Sequence, residues 1–169
     1  MKSPDLTQTL GAELSLPDVT ATQAFAARFA PLLKRGDVVA FDGALGAGKT
    51  ELCRAIIQAL GFDDDVPSPT FTLVQTYEPT AKMDPATPTI WHMDMYRLND
   101  PEEAFELGIE EAFATAVSLI EWPAKLGPYL PPGFLTLRLE IEADGRTRKM
   151  TVIGDAGWHA RLGKILFHD

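Results

Sequence analysis

Residues Gly43, Ala44, Leu45, Gly46, Ala47, Gly48, Lys49 and Thr50 read G-x-x-x-x-G-K-T, with a third glycine inside the run. That pattern suits a loop that cradles phosphate. Glycine lets the backbone turn successive N–H groups inward onto phosphate oxygens, where a β-carbon would forbid it. A helix starting at the end of the loop adds its positive dipole end. Lys49 is then expected on the β- and γ-phosphates and Thr50 as a magnesium ligand. The candidate nucleotide-binding run extends from Gly43 through Glu51, and Lys49 is expected to face solvent in the free protein. Guanine readers carry an [NT]-K-x-D element. The nearest run here, Ala81-Lys82-Met83-Asp84, has alanine first and sits in a proline-rich loop. ATP is the expected nucleotide.

Magnesium beside a phosphate loop needs an acid at the end of a neighbouring strand. Asp94, after Ile90-Trp-His-Met, and Glu121, after Val117-Ser-Leu-Ile, both qualify. Ligands of open α/β sheets sit at the carboxyl ends of strands, so both acids are expected to face the loop. With Lys49 they are the candidate catalytic groups. His92 shares a strand face with Asp94. The other histidines, His159 and His168, and the one cysteine, Cys53, give no zinc spacing, so His92 reads as a partly buried, hydrogen-bonded side chain. No G-x-S-x-G occurs, and neither Ser68 nor Ser118 has a nucleophile context. Ser68-Pro69-Thr70-Phe71-Thr72 is a stiff segment presenting hydroxyls. Its place after the loop's helix suits either a switch over the γ-phosphate or a plain connection.

These groups need elements to hold them. Val38–Phe41 is a β-branched apolar run, and a helix from Lys49 to Leu60 follows the glycines and stops at Gly61. Earlier, residues 10–16 alternate as an edge strand. A helix then starts at Asp18 or Thr20, is shortened by Pro31 and closes at Gly36. Residues 71–78, 89–95 and 117–120 read as strands, and 79–88 as a surface loop. Asp100-Pro101-Glu102-Glu103 reads as a capped helix start, with Gly108 ending that helix and a short one following over 110–114. Strands at 135–142 and 147–153 flank Asp144-Gly145, a hairpin signal. Asp155 caps a last helix reaching Leu166. Strands alternating with helices, followed by a hairpin, predict a three-layer α/β phosphate-loop domain. Its central sheet should be mostly parallel with antiparallel additions.

The chain has 169 residues, 46% apolar and 23% charged, which suits one domain with one sizeable core spanning 1–169, the last 155–169 forming a helical extension. Its formal net charge of −9 argues against direct nucleic-acid binding. A single cysteine allows no internal disulfide and implies a reducing compartment. The absence of a leader pattern or a long apolar run makes a cytoplasmic protein, away from membranes, the expectation.

Four segments together resemble the TsaE (YjeE) family: Gly43–Thr50, Ser68-Pro-Thr-Phe-Thr-Leu-Val74, His92-Met-Asp-Met-Tyr-Arg-Leu98 and Ile120-Glu-Trp-Pro123. The resemblance covers roughly residues 18–150. It implies a small ATPase of the bacterial machinery that makes threonylcarbamoyladenosine in tRNA. Glu121 would then be the magnesium-associated acid and Asp94 the second, water-positioning acid. Thr70 and Thr72 would fall in a switch-like loop, and Tyr96, Arg97 and Trp122 in positions tied to function or partner contact. The implied partners are TsaD and TsaB, with tRNA met only through the complex. Ala44, Glu51 and Ala124 depart from the family's usual Asp, small hydroxyl residue and Glu. The expected activity is slow hydrolysis, with an arginine finger supplied by Arg97 or by a partner. The alternative is a small-molecule kinase on the same loop, but residues 79–88 hold only Lys82 and residues 100–116 hold no Lys or Arg for a lid.

Overall fold

The computed structural model describes residues 10–62, 65–69 and 72–166. Thr70, Phe71 and His168 lie outside the described residues. Among the described residues, seven strands form one sheet: β1 (Leu10–Leu16), β2 (Val38–Asp42), β3 (Val74–Tyr77), β4 (Ile90–Asp94), β5 (Val117–Glu121), β6 (Leu135–Ile141) and β7 (Arg148–Gly154). Their order is β1-β7-β6-β2-β5-β4-β3. The central β6, β2, β5 and β4 run parallel, and β3, β7 and β1 add antiparallel strands at the edges. The mixed α/β architecture is the one the sequence predicts.

Among the described residues, five α-helices cover the sheet: α1 (Val19–Phe29), α2 (Lys49–Ala59), α3 (Glu103–Glu106), α4 (Ile109–Thr115) and α5 (Ala156–Leu166). One apolar cluster joins Phe25 and Phe29 of α1, Leu52 and Ile56 of α2 and Leu162 of α5 to Val39, Phe41, Leu119 and Leu137 of the strands. The other face packs Ala104, Ile109, Ala112 and Leu126 on Val38, Met93 and Ile120. Two covered faces explain why β2 and β5 read as continuous apolar runs. Leu52 and Ile56, with exposures of 1% and 0%, are each worth about 1.5–3 kcal/mol of burial and clamp α2 behind the glycine loop.

Local signals settle several boundaries. Asp18, not Thr20, caps α1, its Oδ1 accepting the Ala21 N–H at 2.8 Å. A 3₁₀ turn over Ala30–Leu32 carries Pro31 and ends the helix there. Asp155 Oδ1 accepts the Trp158 N–H at 3.0 Å at the start of α5, whose Trp158 and Leu162 join the main core.

Two expectations are corrected. Asp100 does not cap the helix that follows: residues 101–102 form a turn, and α3 is a single turn that starts at Glu103. Gly108, in the left-handed region at φ 87°, stops it where a β-carbon would meet the Trp91 ring at 3.3 Å. β3 begins at Val74, with Thr72 and Leu73 outside it, and the expected start at Phe71 lies outside the described residues. Leu73 sits at φ 64°, breaking the strand, and its carbonyl accepts the Asp94 N–H at 2.9 Å. That bond ties Leu73 to the end of β4. No helix among the described residues is long and apolar enough to cross a membrane.

Candidate nucleotide site

β2 runs out at Asp42, the glycine loop turns, and α2 begins at Lys49. Gly43 has φ 151°, and a β-carbon there would lie 2.6 Å from the Leu139 carbonyl oxygen, so only glycine fits against β6. Gly46 and Gly48 occupy the left-handed region at φ 80° and 102°. The loop thus needs its glycines for backbone shape, as the sequence pattern implies.

Lys49 departs from expectation. It is only 6% exposed. Its Nζ donates to the carbonyls of Gly43 at 2.6 Å and Ala44 at 3.0 Å, and sits 4.0 Å from the centroid of the Trp122 ring. The two backbone carbonyls satisfy the ammonium, and the aromatic face covers it. Burial lowers its pKa from the ordinary value, against the raising influence of the Glu121, Asp94 and Asp42 carboxylates. An incoming polyanion would relieve that burden.

The two strand-end acids meet, as predicted, at the mouth of the loop. The β4–β5 register sets Asp94 opposite Glu121. Both are buried, at 3% and 2% exposure. Thr50 Oγ1 donates to Glu121 Oε1 at 2.7 Å, joining the start of α2 to the end of β5. Asp94 Oδ1 accepts the Tyr96 N–H at 2.9 Å. A cavity of about 260 Å³ opens here, lined by Leu45, Gly46, Gly48, Lys49, Thr50, Ser68, Asp94, Tyr96, Glu121 and Trp122. The Thr50 hydroxyl and the two carboxylates are hard oxygen donors in one cavity, a set that fits magnesium.

The remaining predicted residues divide. Trp122, in the left-handed region at φ 57°, and the half-exposed Tyr96 have ring centroids 5.0 Å apart over the cavity. Ser68 reaches the lining, whereas Thr72 is exposed and accepts from Gln75 Nε2 at 3.0 Å. Arg97 is exposed and is not among the lining residues. Glu51 pairs with Arg54, whose Nε donates to the Val66 carbonyl at 3.0 Å. Ala44 contributes its carbonyl to Lys49, and Ala47 is buried under the loop.

His92 is a hydrogen-bonded side chain, as read from the sequence, but its partner and its full burial were not legible, nor were two further features. His92 is wholly buried, and its Nε2 lies 2.7 Å from Glu121 Oε2. Cys53, His92 and Glu121 bring ligand atoms within 4.8 Å of one another, a grouping that sequence spacing does not show. Both Glu121 oxygens are already engaged there, and burial pushes the Cys53 thiol pKa well up, which disfavours the ligating thiolate. Arg148 on β7 crosses to the loop, its Nε donating to the Ala47 carbonyl at 2.9 Å and its Nη2 to the Gly46 carbonyl at 3.4 Å. Arg148 also lines a second cavity of about 190 Å³ with Leu16, Asp18, Val19, Thr22, Leu139 and Arg146. Gly48 borders both cavities.

The family model described as threonylcarbamoyl adenosine biosynthesis protein TsaE matches residues 16–150. That span contains every residue lining the two cavities. A Rickettsia bellii protein named tRNA threonylcarbamoyladenosine biosynthesis protein TsaE is 39% identical over 142 residues, covering 82% of this chain and 93% of its own. A protein of the same name from Mycobacterium bovis is 35% identical over 149 residues, covering 85% and 87%. The crystal structure of Bacillus subtilis YdiB superposes with a TM-score of 0.75 at 26% identity, covering 94% of this chain and 95% of that one.

Proposed function

The chain belongs to the TsaE family, and on that premise we propose that it binds ATP with magnesium and hydrolyses it slowly. Its place would be that of an accessory subunit in the making of threonylcarbamoyladenosine in tRNA, working with TsaD and TsaB. The observation that carries the reading is the Thr50–Glu121 bond of 2.7 Å at the mouth of a complete phosphate loop, with Asp94 opposite Glu121.

In this reading the triphosphate lies along the loop. Phosphate oxygens replace the Gly43 and Ala44 carbonyls as acceptors for Lys49, and the α2 N-terminus faces the same charge. Thr50 and Glu121 would hold magnesium, whose chemistry when bound would be to neutralise charge on the phosphate oxygens. Asp94 orients the attacking water. The base takes the second cavity beyond Gly48, between Val19 and Leu139, with Arg148 at its edge.

Among the described residues lining the phosphate cavity, Lys49 is the one cation. That supports slow turnover by the chain alone, with a charge-stabilising group supplied by a partner. An arginine finger is worth on the order of 10³–10⁵ in rate in other phosphate-loop enzymes. The net charge of −9 supports docking on a protein, with tRNA reached only through it.

Calorimetric titration with ATP and GTP, with and without magnesium, tests the nucleotide assignment. ATP with magnesium is expected to bind at least about tenfold more tightly than GTP, a difference of about 1.4 kcal/mol. Equal affinity for the two, or no binding, would overturn it. ADP release that depended on an added hydroxyl acceptor would favour a kinase instead.

A further inference from the structure

We infer that His92 is a positioning residue that aims the Glu121 carboxylate at Thr50. The inference rests on the reading of Glu121 as the acid at the magnesium position.

The geometry is specific. His92 and Asp94 are two apart on β4, and the register sets them opposite Leu119 and Glu121 of β5. All four side chains therefore project from one face of the sheet, the face that α2 covers. Glu121 reaches back along that face to His92. A carboxylate only accepts, so His92 Nε2 carries the hydrogen and donates to Oε2 at 2.7 Å. The opposite oxygen, Oε1, is left pointing at the Thr50 hydroxyl.

The terminal torsion of a glutamate is soft and does not fix which way its oxygens face. One bond, to Thr50, would leave the carboxylate free to turn as that hydroxyl changed partner on metal binding. The second bond, from a ring packed at 0% exposure, removes that freedom. Outer partners of metal-binding carboxylates act in this way.

Packing alone does not account for an imidazole here. Its Nδ1 is buried with no hydrogen-bond partner among the described residues. An aliphatic side chain on this face would avoid that desolvation cost. The single bond to Glu121 is what the imidazole provides and a leucine would not.

Three substitutions test this. His92→Gln keeps an amide donor near the place of the imidazole Nε2, His92→Asn is too short to reach Oε2, and His92→Leu removes the donor. The readout is the gain in ADP affinity that magnesium confers, measured by calorimetry with and without the ion. For His92→Asn and His92→Leu that gain is expected to fall by about 10- to 100-fold, while His92→Gln keeps it within about threefold. Magnesium-free affinity should stay the same in all three.

A merely structural role would lower both affinities together, and that result would overturn the inference. So would a full magnesium gain in the Asn and Leu variants. If the wild-type protein itself shows no magnesium gain, the reading of Glu121 fails and the inference falls with it. Should His92→Leu not fold, the contrast between Gln and Asn decides, and equal behaviour of those two counts against the inference.

Discussion

Replacing Lys49 by methionine is expected to remove the proposed ATP binding while the protein stays folded. Lys49 Nζ holds the loop carbonyls of Gly43 and Ala44 in the free protein, and both bonds are lost in the variant. The methionine stem still fills the space beneath Trp122, and a buried ammonium is no longer kept from water. The two effects on stability oppose each other, so the net change should stay within about 1–2 kcal/mol. ATP binding has no such compensation. Hydrogen bonds to charged groups are worth about 1.5–3 kcal/mol each, and Lys49 is placed to make them to two phosphates. The loss is on the order of 100-fold or more in affinity, at about 1.4 kcal/mol per decade. Calorimetry and a thermal melt check both parts. Wild-type ATP affinity in a folded Lys49→Met protein would mean that the loop does not hold phosphate.

Glu121→Gln is the second large effect, and it separates metal from fold. Glutamine keeps the size of the side chain and an oxygen for the Thr50 hydroxyl. Its amide can donate to His92 once the imidazole adopts the other tautomer. The fold should therefore survive, although the residue is only 2% exposed. What disappears is the negative charge at the proposed magnesium position. Metal stabilisation of transferring phosphoryl groups amounts to several kcal/mol, so turnover should drop by on the order of 100-fold or more. Nucleotide affinity without magnesium should be unchanged. Equal losses with and without the ion would make Glu121 a structural residue only.

What could be read from the chain was local. The glycine run, the helix behind it and the apolar strands ending in Asp94 and Glu121 are contiguous patterns, and each lands where its pattern says. Those two acids could be placed at one end of the sheet because parallel strands share their carboxyl ends. The partners of those residues were not legible, because they are set by register and crossover. His92 meets Glu121 only through the pairing of β4 with β5. Arg148 reaches the loop because β7 folds back beside β6, which lies next to β2.

Backbone conformation at single non-glycine residues was equally hidden. Leu73 and Trp122 occupy the left-handed region at φ 64° and 57°. Nothing about their residue types announces it, since such values are uncommon for bulky side chains. Those two positions shorten β3 and bring an indole over Lys49, which is why the lysine is covered and not solvent-facing. The resemblance to TsaE proteins pointed to Trp122 and Tyr96 as functional positions. The structure brings their rings together beside the cavity.

ATP turnover by the purified protein, alone and with a TsaD–TsaB complex added, tests the proposed function most directly, with Lys49→Met as the control. Slow turnover alone that rises with the complex and vanishes in the variant is the predicted result. Turnover indifferent to the complex, or retained in the variant, would contradict it.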